Sequence, residues 1–142
     1  NSGVKNWSRR SIGRRIKLKI GVTYESNFDD IRQAIDDIRA MLKEHPGIAN
    51  ENTTYRNAYR QAKLVSEEDF KGVKRTTLVY MDEYADSSIN ILVYCFSRSV
   101  VWHEWLEVKE DVMYKIAEIL KKNNLEFAYP TLMLHQAEDE NK

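Results

Sequence analysis

The sequence is poor in the residues that build catalytic loops and disulfides. It has five glycines, two prolines and one cysteine among 142 residues. It contains no glycine-rich phosphate loop, no Gly-x-Ser-x-Gly nucleophile elbow and no CxxC pair. Cys95 cannot form an internal disulfide and lies in an apolar run. We therefore predict a small buried side chain in a reducing compartment rather than a reactive thiol.

The sequence also lacks a net charge and a membrane-spanning run. Basic and acidic side chains number 22 each, which argues against general nucleic-acid binding, because phosphate-tracking proteins carry a basic excess. No run approaches the roughly 18 apolar residues that cross a bilayer, and no signal-peptide pattern opens the chain. We therefore expect a soluble chain that forms one compact domain with flanking pieces. Because it begins on Asn-Ser-Gly without Met, we also expect it to be a piece of a longer protein.

Charge is nevertheless unevenly placed along the chain. Residues 5–19 carry seven basic side chains and no acid, whereas residues 138–140 read Glu-Asp-Glu. The basic stretch fits a solvated face. It also fits a contact with an anion, a lipid headgroup or another subunit.

Periodicity predicts a strand followed by a helix in the first third of the chain. Apolar and polar residues alternate over about 15–24, and apolar residues recur at spacings of three and four over 28–44. Ser26, three positions before Asp29, resembles a helix-capping arrangement, and His45-Pro46-Gly47 ends the helix. The predicted buried stripe of this helix comprises Phe28, Ile31, Ile35, Ile38 and Leu42.

The rest of the chain predicts a hairpin, a second helix and two short strands. The runs TTLVYMDEY and SSINILVYCFSR read as an antiparallel hairpin, whose second strand is apolar on both alternating sets and so central or covered on both sides. A helix over about 104–123 ends at the left-handed stop Asn123-Asn124. Residues 50–75 are polar and weakly periodic. The order predicts an α+β fold whose inner six elements form a split βαβ, ferredoxin-like arrangement.

No constellation of residues predicts catalysis, a cofactor or a metal site. The histidines at 45, 103 and 135 have no partner at a metal-ligand spacing. The acid pairs 29–30 and 36–37 point in different directions on a helix. We therefore expect no enzyme, no cofactor and no metal. Trp102 and Trp105 suit the closure of a core or a subunit contact better than a base-stacking platform.

Several motifs, in order, resemble the cytoplasmic region of the small-conductance mechanosensitive channel (MscS) family. They are Asn6-Trp7-Ser8-Arg9, a basic residue at Arg15, the strand Ile20-Gly21-Val22-Thr23-Tyr24, a helix ending at His45-Pro46, and the closing Phe127-Ala128-Tyr129-Pro130 with Leu134-His135. The sequence departs from the family where Thr131 replaces a common glutamine and Leu125 a common glycine. These departures put loop geometry and any filter-like role of the C-terminal segment in doubt.

The resemblance implies a vestibule of an inner-membrane channel that releases ions and small osmolytes under hypoosmotic tension. Residues 1–14 would be the last strand of a small middle β domain with its junction, 15–130 the α/β domain, and 131–142 a short C-terminal strand with an acidic tail. Seven copies would form a cage on the cytoplasmic face, anchored by transmembrane helices outside this chain. The implied subunit or domain-junction contacts are Asn6, Ser8, Arg9, Arg14, Arg15, Trp102, Trp105 and Leu134.

Two hypotheses from other functional classes stay open. A free-standing ferredoxin-like module would bind a small ligand or RNA on the sheet face carrying Tyr94 and Phe96, although the balanced charge counts against it. An acyl- or phosphoryl-processing enzyme on the same fold lacks an identifiable catalytic arginine loop.

Overall fold

In the computed structural model, the described part of the chain forms a three-stranded antiparallel sheet with two helices on one face. The structure describes residues 13–50 and 75–128. The elements in chain order are strand β1 (Arg15–Val22), helix α1 (Phe28–Glu44), strand β2 (Leu78–Tyr84), strand β3 (Ile89–Phe96) and helix α2 (Trp102–Lys122). The α+β prediction is confirmed.

The sheet has the order β1-β3-β2, so β3 is central, as its doubly apolar sequence predicted. Beyond α2, the chain returns to the free side of β1, where Val22 and Phe127 form an isolated antiparallel bridge and the Ala128 amide donates to the Gly21 carbonyl at 3.0 Å. Among the described residues this bridge is all that represents the sixth element. The ferredoxin-like arrangement therefore stays a prediction, as do the three domain boundaries.

The core lies between the helices and one face of the sheet. On that face Ile16 pairs with Cys95 and Leu18 with Val93, and all four side chains are buried. The helices close the layer with the buried residues Ile31, Ala34, Ile35, Ile38, Leu42, Val112, Ile116 and Leu120. Cys95 is buried as predicted, and burial raises the pKa of its thiol to about 12.

The start of α1 departs from the prediction in three ways. Strand β1 ends at Val22, and Tyr24 lies 48% exposed in the turn that follows. Asn27, not Ser26, caps the helix, because the Asn27 side chain accepts from the Asp29 amide at 2.7 Å. The prediction that Phe28 belongs to the buried stripe is wrong. This residue is 52% exposed, because as the first helical residue it lies outside the layer that begins at Ile31.

Helix α2 also begins earlier than predicted, at Trp102 rather than about 104, because the Trp105 amide already bonds to the Val101 carbonyl at 2.9 Å. Its predicted end is confirmed, since Asn124 takes a left-handed φ of 60°. The predictions for residues 51–74 and for the closing strands beyond 128 lie outside the described residues.

Candidate contact site at the start of helix α2

The start of β1 is tied closely to the segment that leads into α2. The Ser97 amide donates to the Arg14 carbonyl at 2.9 Å, and the Arg14 amide donates to Ser97 Oγ at 3.1 Å. Gly13 precedes this joint with a φ of +89°, and a Cβ there would lie 2.3 Å from the Ser97 carbonyl oxygen. Only glycine fits both the backbone angle and the space. The joint fixes where Arg14 emerges.

At this joint, one side chain just before β1 and three from α2 form a layer of cations and aromatic rings. We call it the Trp layer, and its members are Arg14, Trp102, Trp105 and Lys109. The guanidinium of Arg14 lies 5.1 Å from the Trp102 ring centroid, and its Nε donates to the Val100 carbonyl at 2.9 Å. The two indoles stack with centroids 5.0 Å apart and planes 23° from parallel. Lys109 Nζ lies 5.0 Å above the Trp105 ring.

The two tryptophans have different structural roles in the Trp layer. Trp105 donates its Nε1–H to the Arg15 carbonyl at 3.0 Å and packs partly against the core, so it joins α2 to β1. Trp102 covers its neighbour but is 56% exposed. A half-exposed indole that stacks on Trp105 and lies under the Arg14 guanidinium offers an apolar plane with positive charge beside it, which suits contact with another polypeptide.

A second joint connects the end of α1 to the middle of α2. His45 is buried, and its Nε2 lies 2.6 Å from Asp111 Oδ2. Its Nδ1 accepts from the Gly47 amide at 2.9 Å, so the neutral ring carries its proton on Nε2 and donates it to Asp111. This hydrogen bond is the largest cause of a lowered pKa at Asp111. The His-Pro-Gly motif thus ends α1 and also orients α2, a role that its sequence alone did not reveal.

The outer sheet face, which the helices leave uncovered, carries mixed apolar and basic side chains. Tyr94 of the central strand has Lys17 of β1 as its register partner on one side. On the other side its register partner is Leu78 of β2. Tyr94 and Phe96 meet edge to face with centroids 5.5 Å apart. Phe96 is 8% exposed, so Tyr94 is the more accessible of the two rings.

The structure brings together the four predicted contact residues that it describes, namely Arg14, Arg15, Trp102 and Trp105. The other four, Asn6, Ser8, Arg9 and Leu134, lie outside the described residues. Within 13–50 and 75–128, no group of three or more His, Cys, Asp or Glu side chains is placed to hold a metal ion. No helix in this same part of the chain has the length and apolarity to cross a membrane.

Comparison with known sequences identifies a family. The family model described as "Mechanosensitive ion channel MscS, C-terminal" matches residues 16–127. An uncharacterized MscS family protein of Helicobacter pylori (strain J99) is 51% identical over 138 residues, 93% of this chain and 22% of that protein. The low conductance mechanosensitive channel YnaI of Escherichia coli (strain K12) is 34% identical over 126 residues, 89% of this chain and 30% of that protein.

Comparison with solved structures identifies the same fold. The cryo-EM structure of Arabidopsis thaliana MSL1 A320V matches with a TM-score of 0.62 at 16% identity, over 85% of this chain and 37% of that one. Wild-type AtMSL1 gives the same TM-score over 86% of this chain and 34% of the other. The chain spans about a fifth to a third of the length of the curated relatives named above.

Proposed function

We propose, from the premise that this chain belongs to the MscS family of mechanosensitive ion channels, that it forms the wall of a cytoplasmic vestibule. The observation that carries the proposal is the extent of the family match, since residues 16–127 include almost all of β1 and every other described helix and strand. The family is one of channels and not a class of enzymes. A wall needs packing and contact surfaces, and the Trp layer is one such surface.

The parent protein, in this proposal, is a channel of the inner membrane. Transmembrane helices elsewhere in the longer polypeptide open under bilayer tension and release ions and small osmolytes. Seven copies of the present region assemble into a hollow cage on the cytoplasmic side, through which solutes pass before they reach the pore. Residues 1–14 contribute the junction with a middle β domain and residues 131–142 a short C-terminal strand.

The Trp layer serves as a subunit or domain-junction contact. Arg14 and Lys109 place positive charge on either side of the stacked indoles, and Trp102 presents its exposed ring outward. Acidic or apolar groups of a neighbouring subunit or of the middle β domain would fit this surface. Asn6, Ser8, Arg9, Arg15 and Leu134 are further subunit or domain-junction contacts in this proposal.

The function is tested in the full-length channel. We expect its expression in a bacterial strain lacking its own mechanosensitive channels to restore survival of hypoosmotic shock. Patches of that membrane should show currents activated by suction. Absence of tension-gated current from protein that is correctly inserted in the membrane would contradict the proposal.

The RNA- or ligand-binding alternative has one favourable observation, the register pairing of Lys17 with Tyr94 on the outer sheet face. Substituting Tyr94→Ala tests it, because loss of stacking would abolish RNA retention while leaving channel currents intact. Retention of RNA by the purified wild type, lost in this variant, would favour the alternative over the vestibule.

A further inference from the structure

Two exposed apolar grooves lie at opposite edges of the sheet, and one of them shares only Lys109 with the Trp layer. We propose that they are the two halves of one subunit interface, in which the α2 groove of one copy receives the α1 groove of the next. The partner is a second copy of this chain, and in naming it the inference rests on the proposed function.

The α2 groove lies on the outer side of α2, beside the free edge of β1. It has a volume of about 720 Å³ and is lined by Leu106, Lys109, Glu110, Met113, Tyr114, Ala117 and Phe127. The opposite side of α2 already fills the core through Val112, Ile116 and Leu120. An amphipathic surface helix needs only one apolar side. Here Met113 is 50% and Tyr114 66% exposed, so the second apolar side has no partner among the described residues.

The α1 groove lies between the first turns of α1 and the β2 strand. It has a volume of about 360 Å³ and is lined by Phe28, Ile31, Arg32, Ile35, Met81 and Tyr84. Phe28 is 52% and Tyr84 62% exposed. These two aromatic rings are of the kind that anchor protein interfaces when they enter a neighbour's groove.

The sheet order makes the two grooves suitable for a ring. Phe127 of the α2 groove lies outside β1, whereas Met81 and Tyr84 of the α1 groove belong to β2, the strand at the other end of the order β1-β3-β2. Because the two surfaces lie on opposite edges of the sheet, a single two-fold partner cannot cover both of them. The pair of surfaces can repeat head to tail, and such a contact closes when the rotation is right.

Charges at the rims of the grooves are compatible with this docking. The α2 groove carries Lys109 and Glu110, and the α1 groove carries Arg32 next to Asp29, from which it lies 3.4 Å away. Each rim therefore offers both signs, so Glu110 can face Arg32 while Lys109 faces Asp29. Rim pairs of this kind set the register of an interface more than its affinity.

Cysteine cross-linking in the full-length channel tests the docking. The double variant Phe28→Cys with Met113→Cys, in a background with other accessible cysteines replaced, is oxidised in membranes and separated without reductant. Cys95 can stay, because it is fully buried. We expect a ladder of covalent oligomers from the double variant and only monomer from either single variant. The matched control pairs Met113→Cys with Glu44→Cys, an exposed position at the other end of α1, and should give no ladder.

Three outcomes would overturn the inference. No ladder from the double variant, with tension-gated currents intact, would reject the interface and leave the vestibule standing. Dimers from a single variant would show a two-fold contact instead. A bond within one chain between Met113→Cys and Leu134→Cys would show that the chain's own C-terminal segment occupies the α2 groove. A ladder without tension-gated current would support the interface and reject the channel function.

Discussion

At the residue scale, His45 shows how a helix stop becomes a joint between two helices. Both ring nitrogens are used, one accepting from Gly47 and the other donating to Asp111, and only 6% of its side chain is exposed. A buried donor left without its acceptor costs about 1–3 kcal/mol. The Asp111→Ala substitution should therefore lower the free energy of unfolding, measured in urea by circular dichroism, by about 1–2 kcal/mol. An unchanged midpoint would mean that water replaces the carboxylate at no cost.

The charge of Asp111 should make stability depend on pH. The hydrogen bond from His45, followed by the charge of Lys115, lowers the Asp111 pKa below its usual 3.8 in the folded chain. The unfolded chain thus takes up the proton first, so the stabilisation is present well above the unfolded value of 3.8 and is lost as pH falls through the folded pKa. Asp111→Asn keeps an acceptor but cannot ionise. Its deficit against wild type should therefore shrink as pH falls below 4.

Urea unfolding of both chains between pH 7 and pH 2.5 measures this convergence. Asp86→Asn, in the exposed turn between β2 and β3, is the control and should keep the same offset from wild type throughout. A deficit of Asp111→Asn that stays constant down to pH 2.5 would show that the carboxylate contributes through its shape and not its charge.

We expect any side chain at Gly47 to destabilise the fold for a steric reason. A Cβ at this position would lie 2.6 Å from Val108 Cγ2, and overpacking of this kind costs about 1–3 kcal/mol. Gly47→Ala should lose that much stability on chemical unfolding. Adding Val108→Ala makes room, so the double variant should lose less than the sum of the two single variants. Simple additivity would mean that α2 shifts away without resistance.

At the element scale, the sequence allowed every described helix and strand to be predicted, because each carries its own period. The alternation of β1 and the stripes of α1 and α2 are local signals, and the core uses them as expected. The ends were less predictable, because capping is a competition between neighbours. Ser26 and Asn27 both suit an N-cap, and the chain uses Asn27, while the Ser26 hydroxyl lies 3.4 Å from that of Thr23.

The candidate site was only partly accessible to the same reasoning. Trp102 and Trp105 were predicted to form a contact because of their size and spacing, and Arg14 because of its charge. Their meeting depends on the pairing of β1 with β3, which brings residues 14 and 97 together, and no local pattern encodes that distance. The His45–Asp111 contact spans 66 residues in the same way.

The Trp layer gives a prediction about how α2 is held to β1. Trp105→Phe keeps most of the ring but removes the hydrogen bond to the Arg15 carbonyl, so it should lower the free energy of unfolding by about 1 kcal/mol. Trp102→Ala removes a ring that is 56% exposed and should change stability less. Urea unfolding of the two variants gives the comparison. The reverse order would place the structural anchor at Trp102 and weaken its assignment as a contact residue.

At the scale of the whole molecule, the described residues form one core that is buried from solvent, while several apolar surfaces stay exposed. The described core residues form a single cluster between helices and sheet. Meanwhile Phe28, Tyr84, Met113 and Trp102 are each at least half exposed. Isolated exposed apolar residues are ordinary, but grouped ones usually mark binding surfaces. This distribution fits the proposed role as a subunit of an assembly.

The basic residues near the junction give a prediction about the assembled channel. Arg14 is engaged with Val100 and Trp102, so its removal would disturb structure and charge together. Arg15 uses its backbone carbonyl in the Trp105 hydrogen bond, and its side chain is exposed. Arg15→Gln therefore removes charge with the joint intact. If the junction lines a solute path, one such loss in every copy should move the reversal potential in a salt gradient toward cation preference, because exposed charges act over about 10 Å. Lys121→Gln at the far end of α2 is the control. An unchanged reversal potential in Arg15→Gln would show that the junction does not line the solute path.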